Sequence, residues 1–184
     1  MIDRKLAQGQ FNDGDHSRHK HATLGFVVRM LVYYGVLNGL YFLIPIATLH
    51  DHLYLGLFGR PSVGVINAIA SAEHVVAATN RIMSARAVLE IVRGCDGAGV
   101  WFLITAAVMA FPATWRQRAS GAVLGMLLVY ALNLARLTGL YFVAAYRQAW
   151  FLPLHTYFIP SLLIVVVALY FMWWVARVST PQHG

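Results

Sequence analysis

Residues 30–49 read MLVYYGVLNGLYFLIPIATL, twenty consecutive residues without a charge. At about 1.5 Å per residue, a helix of that length reaches about 30 Å, the thickness of a bilayer's hydrocarbon core. Arg29 closes the near side of the stretch and His50-Asp51-His52 the far side. Pro45 sits near the far end, where a kink disturbs a spanning helix least. The stretch starts too late and runs too long for a cleavable signal peptide, and it lacks a small-residue cleavage site.

The rest of the chain has the same character. Of 184 residues, 59% are apolar and only 11% charged, against about 45–50% and about 25% in a soluble domain. Mean hydropathy is +0.63. These values exclude a water-soluble core and a disordered chain, and a single cysteine excludes a disulfide scaffold. Three further spans follow: 97–114, 119–143 with Arg136 inside it, and 156–176, which ends at Trp173-Trp174 and Arg177 as interfacial anchors. The expected fold class is an all-α integral membrane protein, a bundle of about four transmembrane helices. A polar tail (1–23) precedes a single membrane domain (24–177), and residues 178–184 form a C-terminal tail.

Charge gives the expected orientation. Arg4, Lys5, Arg18, Lys20, Arg29, Arg116, Arg118 and Arg177 fall on one side of such a bundle. Arg60, Arg81, Arg86, Arg93 and Arg147 are spread over longer segments on the other. Short cytoplasmic loops collect Lys and Arg, so both termini are expected in the cytoplasm. The net charge of +7 follows from that topology, and no compact basic face points to nucleic acid. Segment 50–96, outside the cytoplasm, is expected to be helical and to lie on or dip into the outer leaflet. Ser62 is a candidate N-cap, with Val63, Ile66, Ile69 and Val76 along one side.

Three scarce polar residues stand out. Cys95 sits in Arg93-Gly94-Cys95-Asp96-Gly97, where segment 50–96 turns into the second span. A lone cysteine is commonly a small buried apolar residue. Two flanking glycines mark a turn instead, and a helix start with a nearby cation favours thiolate. Arg136 lies within an apolar run, where a guanidinium costs about 2.5–3.5 kcal/mol on insertion scales. It either snorkels to the headgroups or faces inward as a fixed donor for an oxyanion, with Asn133 beside it on the same face. His155 opens the last span. Alone it reads as a solvated interfacial residue, but the four-span topology places Cys95, Arg136 and His155 near one boundary.

The Cys95-Asp96-Gly97 span start, the run Asn133-Leu134-Ala135-Arg136 and the later His155 resemble the core of the exosortase/archaeosortase family, over about residues 86–170. That resemblance implies a polytopic membrane cysteine transpeptidase or protease without a cofactor. Its substrates would be exported proteins bearing a C-terminal sorting signal, made of a short motif, a transmembrane helix and a basic tail. It would act at the outer face of a bacterial cytoplasmic (inner) membrane. It also implies Cys95 as nucleophile, Arg136 as oxyanion or thiolate stabiliser and His155 as acid/base. Asp96 stands where the commoner family pattern has Ser, and only one span precedes the motif, so the resemblance is to a short-form member. Asp96 either orients His155 or shapes the turn, and its charge disfavours a neighbouring thiolate.

Two other readings compete. A membrane metal protein would use His50, His52 and His74, or the tail residues His16, His19 and His21, although no HExxH motif is present. A non-catalytic scaffold would account for the spans but leave Arg136 without a purpose.

Overall fold

The computed structural model of the chain describes the backbone of residues 3–180 and the side chains of 20–50 and 53–180. The chain is mostly helical, and three helical stretches are long and apolar enough to cross a membrane: Lys20–Leu43, Trp115–Tyr146 and Gln148–Ser179. Leu31, Val36 and Leu40 on the first, Leu127 on the second, and Val165 and Leu169 on the third are more than half exposed or close to it. An apolar surface continuous over several helices marks contact with lipid rather than water.

The first span differs from residues 30–49. Helix α1 (Asp3–Leu43) begins in the region read as a polar tail and ends six residues early. The cause is Pro45, whose preceding residue is disfavoured in the α region, so the chain bends at Ile44 and Pro45 is extended (φ −57°, ψ 139°). Proline here terminates the helix instead of kinking it. A π-helical segment, Leu49–Gly59, then leads into α2 (Arg60–Ile69). Ser62 is not the cap of α2: the helix starts at Arg60 with Pro61 in its first turn, and the Ser62 hydroxyl is buried without a partner. Of the four residues expected on one face, Ile66 is fully buried, while Ile69 and Val76 are exposed.

Beyond α2 the structure departs from a helical segment and from an all-α fold. Strands β1 (Val76–Ala78), β2 (Arg81–Met83) and β3 (Val88–Glu90) form an antiparallel sheet in that order. Ala78 pairs with Arg81 across a two-residue turn in which Thr79 has φ 54°. Ile82 and Leu89 are directly paired and both buried, while Val76, Arg81, Val88 and Glu90 face outward. That is period-two patterning, carried by strands of only three residues. Asn80 closes the sheet: its side chain donates to Glu90 (3.0 Å) and to the Ile91 carbonyl (3.1 Å).

Helix α3 (Ala98–Ala110) occupies the place of the expected span 97–114. Its 13 residues rise about 20 Å, short of a hydrocarbon thickness. It packs against α1, α4 (Trp115–Tyr146) and α5 (Ile159–Ser179), burying Ile104, Ala106, Val108 and Ala110. Thr114 and Gln117 form a reciprocal capping box that starts α4. The α4–α5 crossing is close at Gly121, where an added Cβ would lie 2.3 Å from Trp174 Nε1.

Two apolar cores result. One, made of Ile104, Val108, Ala122, Val129, Val167 and Trp174, knits the helices together. The other includes Tyr41, Tyr54, Ile66, Ile82, Ile91 and Tyr141 and seats segment 44–97 on the ends of α1 and α4. Glu73 locks that seat: it accepts hydrogen bonds from Tyr141 (2.9 Å) and Tyr146 and pairs with Arg86 (3.2 Å). The Cys95 turn lies between this second core and the bundle.

Candidate active site

The turn that carries Cys95 is built by its two glycines. Gly94 (φ 93°) and Gly97 (φ 80°) both sit in the left-handed region, which costs other residues about 1–2 kcal/mol. Gly97 is further constrained, because an added Cβ would lie 3.1 Å from the Asn133 side chain. The Cys95 amide donates to the Val92 carbonyl (2.9 Å), tightening the turn just before α3 begins.

Helix α4 grips the turn from inside the bundle. Asn133 Nδ2 donates to the Asp96 carbonyl (3.0 Å), and one turn later Arg136 Nη1 donates to the Cys95 carbonyl (3.3 Å). Both side chains are buried, Arg136 at 9% exposure. Arg136 therefore faces inward and does not snorkel. Its Nε and the Asn133 Oδ1 are buried without a partner. Among the described residues no carboxylate pairs with Arg136. The guanidinium thus keeps a free donor beside the cysteine, in surroundings where an unpaired polar group is costly.

His155 arrives from the other side. It lies in a π-helical turn, Leu154–Phe158, immediately before α5. Its Nε2 is 3.4 Å from the Cys95 Sγ, within hydrogen-bond reach for sulfur, across 60 residues of chain. The Phe151 ring stacks on the imidazole with centroids 5.3 Å apart and planes 7° from parallel. His155 Nδ1 is buried without a partner, so stacking rather than a carboxylate orients the ring.

Asp96 is not the residue that orients His155. It is 2% exposed, and its carboxylate accepts from the Ala98 amide (3.2 Å) at the start of α3 and from the Tyr41 phenol on α1. Tyr41 is in turn 3.0 Å from the Tyr54 hydroxyl. Burial pushes the Tyr54 phenol above its usual range, so it remains a donor. Arg93, on the other side of Cys95, donates to the Ile44 (2.8 Å) and Phe42 (3.4 Å) carbonyls at the end of α1 and lies over the Tyr41 ring.

The structure therefore brings together Cys95, Asp96, Asn133, Arg136 and His155. Tyr41, Phe151 and Arg93 complete the arrangement and are not singled out by sequence, although Phe151 and His155 stand at i and i+4, one helical turn apart. Among the described residues, those of the metal reading do not converge in this way. His50 is beside the Tyr54 ring (5.6 Å), His74 is exposed in a left-handed turn, and the side chains of His16, His19 and His52 lie outside the described residues. No cluster of three or more His, Cys, Asp or Glu with metal-binding geometry occurs among the described residues.

No protein-family model matches the chain, and neither a curated protein nor a solved structure is significantly similar to it.

Proposed function

We propose that this chain is a membrane-embedded cysteine transpeptidase or protease. It acts on C-terminal sorting signals of exported proteins at the outer face of a bacterial cytoplasmic membrane. The observation that carries the reading is the 3.4 Å approach of Cys95 Sγ to His155 Nε2 above an inward-facing, incompletely bonded Arg136. A nucleophile and base within hydrogen-bond reach, beside a free buried donor, are the parts that acyl transfer through a thioester needs.

In this reading His155 Nε2 takes the thiol proton and Sγ attacks the scissile carbonyl carbon. The carbonyl π electrons move to oxygen, and Arg136 Nε–H donates to the resulting oxyanion, a contribution of roughly 2.7–4 kcal/mol per donor in a water-excluded site. Collapse breaks the C–N bond, and the departing amine takes its proton from His155. Water or an acceptor amine then resolves the thioester. Asn133 and the Arg136 Nη1 hold the two carbonyls of the turn, which keeps Sγ in register with the imidazole. In this reading both termini lie in the cytoplasm, as the positive-inside distribution favours, and the chain returns through the bundle along the short helix α3. The site end of the bundle then faces outward.

The test is Cys95→Ala in a cell that processes a tagged exported protein bearing a sorting signal. Processing should stop while the variant still inserts and accumulates. Unchanged processing would leave the scaffold reading in its place.

A further inference from the structure

The end of α1 holds the cysteine turn at two points, one on each side of Cys95. Arg93 reaches the carbonyls of Phe42 and Ile44, and Asp96 receives the Tyr41 phenol. The second contact has an electrostatic consequence. A carboxylate next to a thiol opposes thiolate formation, yet Asp96 is fully enclosed beside the nucleophile. Both of its oxygens are engaged away from the sulfur, Oδ1 by the Ala98 amide at the start of α3 and Oδ2 by Tyr41. Tyr41 has one proton and gives it to Asp96, so the 3.0 Å contact with Tyr54 is a hydrogen bond donated by Tyr54. The chain Tyr54–Tyr41–Asp96 therefore runs in one direction, toward the carboxylate.

We propose that Tyr41 is a positioning residue for Cys95, one whose hydrogen bond holds and polarises the Asp96 carboxyl group so that the sulfur is left to His155. This rests on the reading of Cys95 and His155 as a nucleophile–base pair. Among the described residues, the charged and titratable groups that bear on the cysteine turn are His155 from the turn before α5, Arg136 from α4, Arg93 and Asp96 from the turn itself, and Tyr41 and Tyr54 from α1 and the π-helical segment. Of these, Asp96 is the carboxylate that opposes a thiolate when ionised, and among the described side chains Tyr41 is the one that hydrogen-bonds its carboxyl group. Removing the phenolic hydroxyl leaves Oδ2 unpaired in a dry site and frees the carboxylate to bear on the thiol.

The chain has one cysteine, so its alkylation reports this site alone. The rate of iodoacetamide labelling of the full chain in lipid nanodiscs is measured from acid to alkaline pH, with Cys95→Ala as the blank. Tyr41→Phe should move the pH–rate profile upward by about one unit, which lowers the rate at neutral pH about tenfold. Tyr54→Phe, which leaves the Tyr41–Asp96 bond in place, should move it in the same direction by less. Asp96→Asn added to Tyr41→Phe should bring the profile back to or below that of the unsubstituted chain. Superimposable profiles for both Phe variants would overturn the proposal. So would a loss of rate that is equal at every pH and is not restored by Asp96→Asn, the result expected of a purely structural role. The readout needs no substrate, so it stands apart from the processing assay: normal processing by Cys95→Ala would remove the enzymatic reading whatever the labelling shows.

Discussion

Arg136 and Cys95 are joined through the backbone, the guanidinium Nη1 donating to the cysteine's own carbonyl oxygen at 3.3 Å. One side chain from the middle of α4 thus does two things. It fixes the turn that presents the thiol, and its Nε remains buried without a partner. The pairing explains why a charge is retained within an apolar helix at a cost of about 2.5–3.5 kcal/mol.

Replacing Arg136 by Lys keeps the charge but removes the planar fork, so one ammonium cannot hold the turn and meet an oxyanion together. Processing by Arg136→Lys should fall at least about a hundredfold, in line with the loss of one oxyanion donor. Arg136→Gln should be no better. Initial rates of substrate cleavage check this, and full activity in Arg136→Gln would remove the oxyanion role.

At Gly97 the left-handed backbone and the 3.1 Å approach to Asn133 act together. Gly97→Ala should destabilise the turn by about 1–2 kcal/mol from conformation alone. Accessibility of Cys95 to a bulky maleimide should rise as His155 and the thiol part. Asn133→Ala would relieve the clash but also remove the hydrogen bond to the Asp96 carbonyl, so the double variant should not recover the closed turn.

The α4–α5 crossing is sensitive for a different reason. A methyl at Gly121 meets the Trp174 indole, and Tyr170, also on α5, donates to the Gly121 carbonyl (2.6 Å). Gly121→Ala should cost about 1–3 kcal/mol by overpacking, and Gly121→Leu more. Thermal unfolding in detergent measures it.

Glu73 sets an acid limit on the seating of the sheet. Hydrogen bonds from Tyr146 and Tyr141, with the Arg86 charge, hold its carboxyl below the ordinary value of 4.5. A carboxyl with a depressed folded value stabilises the fold above its unfolded value and loses that contribution as pH falls through the folded one. Amide protection factors in residues 76–90, exchange rates taken relative to the intrinsic rate at each pH, should therefore fall on acidification below the ordinary carboxylate range and stay high at neutral pH. Glu73→Gln should show lower protection factors at neutral pH and little further change in them with acid.

The candidate site was legible in the sequence because polar residues are scarce in an apolar chain. Arg136 in an apolar run and Cys95 between two glycines need reasons that a surface residue does not. The sheet was hidden because three-residue strands carry too little alternation to distinguish Val88-Leu89-Glu90 from a helical face. The end of α1 was misplaced because hydropathy continues past Pro45 while the backbone does not. Tyr41 and Phe151 were invisible for a third reason. An aromatic residue in a span reads as lipid contact until its partner, Asp96 or His155, is placed beside it. The orientation of Asp96 could be decided only by the same contacts.

In the proposed reaction Cys95 forms a covalent bond to the substrate's acyl group. The direct measurement is mass spectrometry of the chain, rapidly denatured during turnover of a peptide bearing a sorting signal. A substrate-derived acyl mass on the peptide containing Cys95, released by hydroxylamine, is the predicted result. Cleaved substrate accumulating while Cys95 stays unmodified at every time point, with the Cys95→Ala chain cleaving equally well, would contradict it.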